Sequence, residues 1–347
     1  MLTRAHLDQA VAKGVISSEQ AVALLGLAGA RAAVAPDFVG EPDEERFRIA
    51  NGFNEVFIAL GVILLAAGMY AALGVSSVGI TTLSAPSSVW LKAVACLAGL
   101  WGLSEYLTGR RRMLAPSIVL VIAMSGLALL LSFWPFARTF KPSGIQWAML
   151  IIPGSVLLVA GAHYLRFKFP FSLLLIAAGL IGIVAAAIGV VAPQFALENV
   201  KPIMFVLGLC VFIAAMLFDL SDPLRQTNRS DGGFWLHMIA APLIVHPLMP
   251  RGLDGAGIVF AVFAVLALIA IVVDRRAILV ASLSYLMAAI GYLATQRGLN
   301  AAQLYFVIPL VVGSGIIALG TGWSAVRRSV WSVLPNFGPV EPLRPRP

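Results

Sequence analysis

The sequence predicts an all-α polytopic transmembrane bundle of about ten spans, preceded by a small soluble N-terminal helical hairpin. Three observations carry this fold class. Hydrophobic residues make up 60% of the 347 and charged ones only 12%, about half the roughly 25% of an average soluble domain. Ten apolar runs follow one another, near 53–74, 88–108, 113–133, 145–165, 169–191, 202–220, 233–249, 255–273, 277–295 and 302–322, each close to the roughly 17–25 residues that a spanning helix needs. The basic residues between them alternate in density, as the positive-inside rule requires of a folded-back chain.

Residues 1–33 read as a hairpin outside the bilayer. Thr3 can cap a helix running to Lys13, with Gly14 at the C′ position. Val15 and Ile16 then precede Ser17, with Gln20 three residues on, the pattern of a capping box with an apolar residue before it. Leu7, Val11, Val22 and Leu25 would close the two helices on each other. An acidic Pro/Gly linker and the start of the first span occupy residues 34–52, the membrane domain 53–323, and a basic, Pro-rich tail 324–347. Asp8, Glu19 and the charges near Asp43 interrupt any cleavable signal.

The segment AVAKGVISSEQAVALL, followed by a linker and serial hydrophobic hairpins, resembles one domain-of-unknown-function family of predicted bacterial membrane proteins. Members of that family open with a similar Gly-hydrophobic-Ile-Ser-x-x-Gln hairpin. The resemblance covers about the first seventy residues and the general architecture. It implies a fold and no activity, and it supplies no site residues.

Charge placement sets the expected orientation. With a cytoplasmic N-terminus, that side receives eighteen of the 24 Lys and Arg, including Arg110 to Arg112, Arg166, Lys168, Arg225, Arg275, Arg276, Arg327 and Arg328. The other side keeps six: Lys92, Arg138, Lys141, Lys201, Arg251 and Arg297. Both termini are therefore expected in the cytoplasm of an inner-membrane protein. The net charge of +8 needs no nucleic acid as partner; the lipid bilayer accounts for it. The two cysteines, Cys96 and Cys210, lie inside apolar runs and suggest no disulfide framework.

The stretch from Asp219 to Pro250 is the longest polar break followed by an unusual span. His237 and His246 stand nine apart, roughly 180° around a helix and about 13 Å along it, so they cannot share a metal ion. Pro242 between them invites a kink. A short, proline-bearing span can mark a carrier's binding site; a tilted filler helix with interfacial histidines explains the same residues.

A shared spacing recurs on the inward turns: Arg111-x-x-Leu114-x-x-Ser117, Arg166-x-x-Phe169-x-x-Ser172 and Arg276-x-x-Leu279-x-x-Ser282. It suggests tandem two-helix units, although any basic inward hairpin could show it. Gly313-Ser-Gly315 and Gly320-Thr-Gly322 in the last span, Ala67 with Ala71 and Gly182 with Ala186 fit close helix packing better than phosphate binding. Trp331 and Phe337 are expected to rest on the inner leaflet.

No nucleophile elbow, Walker loop, dinucleotide fingerprint or metal spacing occurs, so no catalytic residue, metal or cofactor is implied and a membrane enzyme ranks third. What remains is a layer of polar groups near the cytoplasmic ends of the spans: Asn51, Asn54, Glu55, Glu105, His163, Asp219, His237 and Asp274. Ionisable groups at membrane depth tend to mark pathways or relays. Asp274 abuts Arg275 and Arg276, and a local ion pair is the simplest expectation there. Glu105 and Asp219 sit at helix C-termini against the dipole, a penalty of roughly 0.3–1 kcal/mol, and need a basic neighbour such as Arg110 or Arg225 or a partner across helices. Asn54, Glu55, Glu105 and His163 are expected to converge in one cavity. The leading functional expectation is a permease-like carrier of a small solute; the rival is a structural or regulatory protein that docks a protein partner through the hairpin.

Overall fold

The computed structural model describes residues 7, 11, 13–21, 53–73, 75–76, 79–80, 86–138, 142–222, 227–249, 256–275 and 277–333. The chain divides into two compact units, 1–44 and 45–347.

In the first unit the turn at Gly14 and the start of the next helix are described. Gly14 takes φ +69°, the left-handed conformation that favours glycine at a helix C′, and its N–H donates to the Val11 carbonyl at 2.9 Å. The capping box forms: Ser17 N–H donates to Gln20 Oε1 at 2.9 Å and Gln20 N–H to Ser17 Oγ at 3.1 Å. Leu7 and Ala21 are buried. Thr3, Val22, Leu25, the linker and Asn51 lie outside the described residues.

The described residues of the second unit are mainly helical, with a two-residue antiparallel ladder that pairs Val75 with Ile80 and Ser76 with Gly79. Its helices are α1 (Phe53–Ala72), α2 (Pro86–Ser104), α3 (Leu114–Arg138), α4 (Pro142–Phe167), α5 (Ser172–Val191), α6 (Pro193–Glu198), α7 (Val200–Ser221), α8 (Asn228–Leu248), α9 (Ala256–Val273), α10 (Ala277–Gln296), α11 (Ala301–Thr321) and α12 (Trp323–Val333). A π-helical turn, Glu105–Arg110, extends α2. Each of the ten apolar runs falls on one long helix. Among the described residues six of these, α1, α3, α4, α5, α7 and α11, are long and apolar enough to cross a membrane. The large apolar side chains they leave exposed, such as Leu64, Leu158, Leu217 and Ile317, are what a helix facing lipid carries.

Two apolar cores organise the unit. Leu100, Leu120, Met124 and Leu127 centre the first, among α1, α2 and α3. Val245, Leu266, Ala270, Ile278 and Trp323 centre the second, among α8, α9, α10 and α12. Helices α7 and α8 make the closest pair, because glycines stand where they touch. A Cβ on Gly208 would lie 2.9 Å from Leu243 and Ile244 side-chain atoms, and one on Gly233 only 2.4 Å from Asp219 Oδ1. The α4–α5 contact is similar: a Cβ on Gly182 would meet Pro153 at 2.6 Å. Ala67 and Ala71, by contrast, are exposed, and no described neighbour beyond their own helix comes within 4 Å of a Cβ position at Gly313 or Gly315. Their small-residue spacing serves no packing among the described residues.

Two expectations need correction. The seventh apolar run is not a short helix, since α8 extends over 21 residues from Asn228 with Pro242 and Pro247 inside it. The polar residues preceding the run are simply its first turns, capped by Thr227. Trp331 does not rest on a lipid surface either; it is 3% exposed. Phe337 lies outside the described residues.

Candidate functional site

The polar layer resolves into four local groups. The most deeply buried stands where α7, α8 and the α9–α10 turn meet. Asp219, near the end of α7, is 3% exposed, His237 on α8 0%, and Arg275 in the turn 2%. Arg275 grips the carboxylate with two atoms, Nη2 to Oδ1 at 2.5 Å and Nε to Oδ2 at 3.2 Å. The same Nη2 reaches the Ser230 carbonyl at 2.8 Å and its Oγ at 3.2 Å. His237 Nε2 stands 2.8 Å from Asp219 Oδ2. Since a carboxylate can only accept, Nε2 carries the proton of that bond, and in the neutral ring Nδ1 is left as a lone-pair acceptor. That Nδ1 is buried and has no partner among the described residues. Phe212 closes the site edge-on, 5.2 Å from the imidazole centroid. The missing side chain at Gly233 makes room for the carboxylate.

Asp274, one residue before Arg275, faces the other way. Its Oδ1 accepts from Trp323 Nε1 at 2.6 Å and its Oδ2 lies 3.6 Å from Arg327 Nη1. Of the two arginines expected beside Asp274, Arg275 turns to Asp219, and Arg276 lies outside the described residues. The cause is the backbone. Helix α9 ends with Asp274 at φ +59° and Arg275 N–H bonded to the Ala270 carbonyl at 2.8 Å. This 6→1 closure with a left-handed C′ residue turns consecutive side chains apart.

The third group holds Glu105 and His163, on α2 and α4. Glu105 pairs across helices with Arg166, two contacts of 2.8 Å, and the pair is substantially exposed. One helical turn away His163 is fully buried among Trp101, Phe167 and Phe169, whose ring centroids lie 6.4, 4.7 and 5.9 Å from its own. Its Nδ1 meets Ser172 Oγ at 2.9 Å, while Nε2 is buried without a partner. Glu55 forms the fourth group: its carboxylate accepts from Leu114 N–H at 3.3 Å, capping α3. Asn54 beside it is exposed. Of the four residues expected to converge, Glu105 and His163 share one helix pair, Glu55 caps α3 and Asn54 is exposed.

The repeated turn spacing has a structural counterpart in two of its three copies. Thr108 Oγ1 donates to Ser117 Oγ at 2.8 Å, and His163 bonds Ser172 at 2.9 Å, each a bond to the residue nine earlier across the hairpin. In the third copy the residue nine before Ser282 is Val273, and Arg276 and the Ser282 side chain lie outside the described residues. Residues that sequence reasoning did not single out are Ser230 and Trp323. His237 and His246 do face opposite ways, the first buried and the second exposed. Among the described residues no three His, Cys, Asp or Glu group as metal ligands.

Comparison with family models, characterised proteins and solved structures finds no match to this chain.

Proposed function

We propose that the protein is a ten-span inner-membrane carrier of a small solute, with both termini cytoplasmic, and that Asp219, His237 and Arg275 form its coupling centre. The observation that carries this is the burial of a charged pair together with an imidazole where α7, α8 and the α9–α10 turn meet. Removing such charges from water costs several kcal/mol per ion, and groups retained at membrane depth despite that cost are characteristic of relays and solute pathways. The chemistry offers two states. With His237 neutral, Arg275 and the imidazole N–H share the carboxylate of Asp219. A proton arriving at His237 Nδ1 makes an imidazolium, adds a second cation to one carboxylate and weakens the hold of Arg275. Because Arg275 sits in the α9–α10 turn and Asp219 on α7, that exchange would bias the packing of one helix pair against another, which is the bistable element an alternating carrier needs.

The ten-span count is supported by ten long helices on ten apolar runs, and the orientation by the eighteen-to-six division of basic residues. The test is uptake by the full chain in proteoliposomes, with an internal pH dye and a panel of amino acids, sugars, organic acids and organic cations. Uptake of at least one solute class is expected, accompanied by a proton signal. His237→Gln should abolish it while leaving reconstitution intact, and so should Asp219→Asn combined with Arg275→Met, which leaves no orphaned buried charge. No uptake across the panel, or wild-type uptake in both variants, would overturn the reading.

A further inference from the structure

The turns at 111–113 and 168–171 lie at the shared end of α3, α4 and α5, each of which is long and apolar enough to cross a membrane. That sets both turns at a bilayer boundary. The turns adjoin: Arg166 pairs with Glu105 at 2.8 Å, and a Cβ on Gly109 would lie 3.4 Å from Phe167 Cε1. Exposed cations gather here, namely Arg110, Arg111, Arg112, Arg166 and Lys168. Glu105 neutralises Arg166, and a second acid at this end, Glu55, is buried and caps α3. Arg111 leans on Tyr106, its Nε donating to the hydroxyl at 3.1 Å, and Lys168 Nζ stands 5.3 Å from the Tyr164 ring centroid. The side chains of Arg110 and Arg112 make no ion pair, hydrogen bond or ring contact among the described residues.

We infer that these two turns bind the headgroup phosphate of an anionic phospholipid, with Arg110 and Arg112 as its contacts and Arg111 and Lys168 adding to the positive field. Three features select this occupant. Guanidinium groups present paired N–H donors that match phosphate oxygens, and those of Arg110 and Arg112 are uncommitted. Leu165, in the last turn of α4, is 71% exposed, and Tyr106 is exposed as well. An aliphatic surface next to cations and tyrosine rings is the sequence of environments from acyl chain to headgroup, and a soluble anion would have no use for it. The backbone supplies the third feature. Arg112 and Lys168 both take φ +52°, a left-handed conformation that glycine enters freely and a long side chain enters at a cost. Each turn thus keeps a cation where the backbone alone would select glycine.

The experiment is native mass spectrometry of the full chain released from detergent micelles, titrated with phosphatidylglycerol or phosphatidylcholine of matched acyl chains. A basic residue near an anionic surface is worth about fivefold in affinity, so wild type should retain phosphatidylglycerol at about one-twentieth of the concentration that phosphatidylcholine requires. Arg110→Gln combined with Arg112→Gln should bring the two lipids within about threefold. Arg112→Gly suits the left-handed backbone and keeps the test decisive if the double variant unfolds; it should fold as well as wild type and lose about fivefold of the preference. Arg229→Gln combined with Arg297→Gln removes the same charge from exposed positions elsewhere and should leave the preference unchanged. Equal retention of both lipids by wild type, an undiminished preference in Arg112→Gly, or an equal loss in the Arg229 and Arg297 control would overturn the proposal. Retention that collapses in an excess of inorganic phosphate or of an oligoglutamate peptide would assign the arginines to a soluble anion or an acidic segment, and would overturn it too.

Discussion

Arg275→Met should destabilise the membrane unit by about 3–5 kcal/mol, the range seen when one partner of a buried ion pair is removed. The structure gives the reason for so large a loss. Arg275 makes two contacts to Asp219 and two to Ser230, and the carboxylate it would abandon is 3% exposed, left to the N–H of His237. Two unit charges about 4 Å apart interact by about 4 kcal/mol at an effective dielectric near 20, which agrees with the mutational range. The cost lies in the orphaned charge more than in the lost contact, and this yields a sharper test. Asp219→Asn combined with Arg275→Met removes both charges, so the double variant should be about 2–3 kcal/mol more stable than the sum of the single effects predicts. Unfolding of the full chain by dodecyl sulfate titration in mixed micelles, followed by circular dichroism, measures all four corners of the cycle. A single-variant loss below about 1 kcal/mol, or additivity within about 0.5 kcal/mol, would refute the reasoning.

The close approach of α7 and α8 gives a second expectation: Gly233→Ala must displace the Asp219 carboxylate and should cost about 1–3 kcal/mol. Gly61→Ala, with nothing within 4 Å, should be neutral or stabilising by up to about 1 kcal/mol; equal midpoints for the two would contradict the geometry. Ser172→Ala deprives the buried His163 of its hydrogen bond to the Ser172 hydroxyl and should cost about 1–3 kcal/mol in the same titration. In the first unit Ser17→Ala should cost about 1 kcal/mol, read as faster amide exchange at Gln20, whose N–H loses its acceptor. Unchanged exchange there would mean the box adds nothing to helix stability.

The fold was legible because apolar length is a direct physical requirement. A run such as SLLLIAAGLIGIVAAAIGVV has one stable arrangement in lipid, with every backbone group bonded within the segment. The capping box at Ser17 and Gln20 and the left-handed turn at Gly14 were readable for a similar reason, since each is set by residues within four positions of one another. Helix α8 shows where that logic weakens. Its first residues, NRSDGG, have the composition of a loop, and the sequence alone ends the helix at the apolar boundary. In the fold Thr227 caps them, and Gly232 and Gly233 let them lie flat against α7. Tertiary contact, not propensity, decides that turn.

The candidate site was legible as a set of residues but not as a set of partnerships. Asp219, His237 and Asp274 stand out in sequence because charge is rare in apolar surroundings, yet their mates depend on one dihedral angle. Asp274 and Arg275 are adjacent and opposite in charge, which invites the reading of a local pair. Neighbouring side chains at a helix end do not face each other, and a residue at φ +59° separates them further. Asp is among the few non-glycine residues that enter this region readily, so an acid at the C′ position followed by a base is a signal that could have been read. Its consequence is structural coupling. Asp274 ties the turn to Trp323 and Arg327 of α12, and Arg275 ties it to Asp219 and Ser230 of α7 and α8. Two acids and two arginines are thereby balanced across one peptide bond. A shift of α12 that keeps the Trp323 bond draws on Asp274, and Arg275 follows through the peptide bond that joins them. The terminal helix and the buried carboxylate are thus mechanically joined by the shortest connection a chain allows.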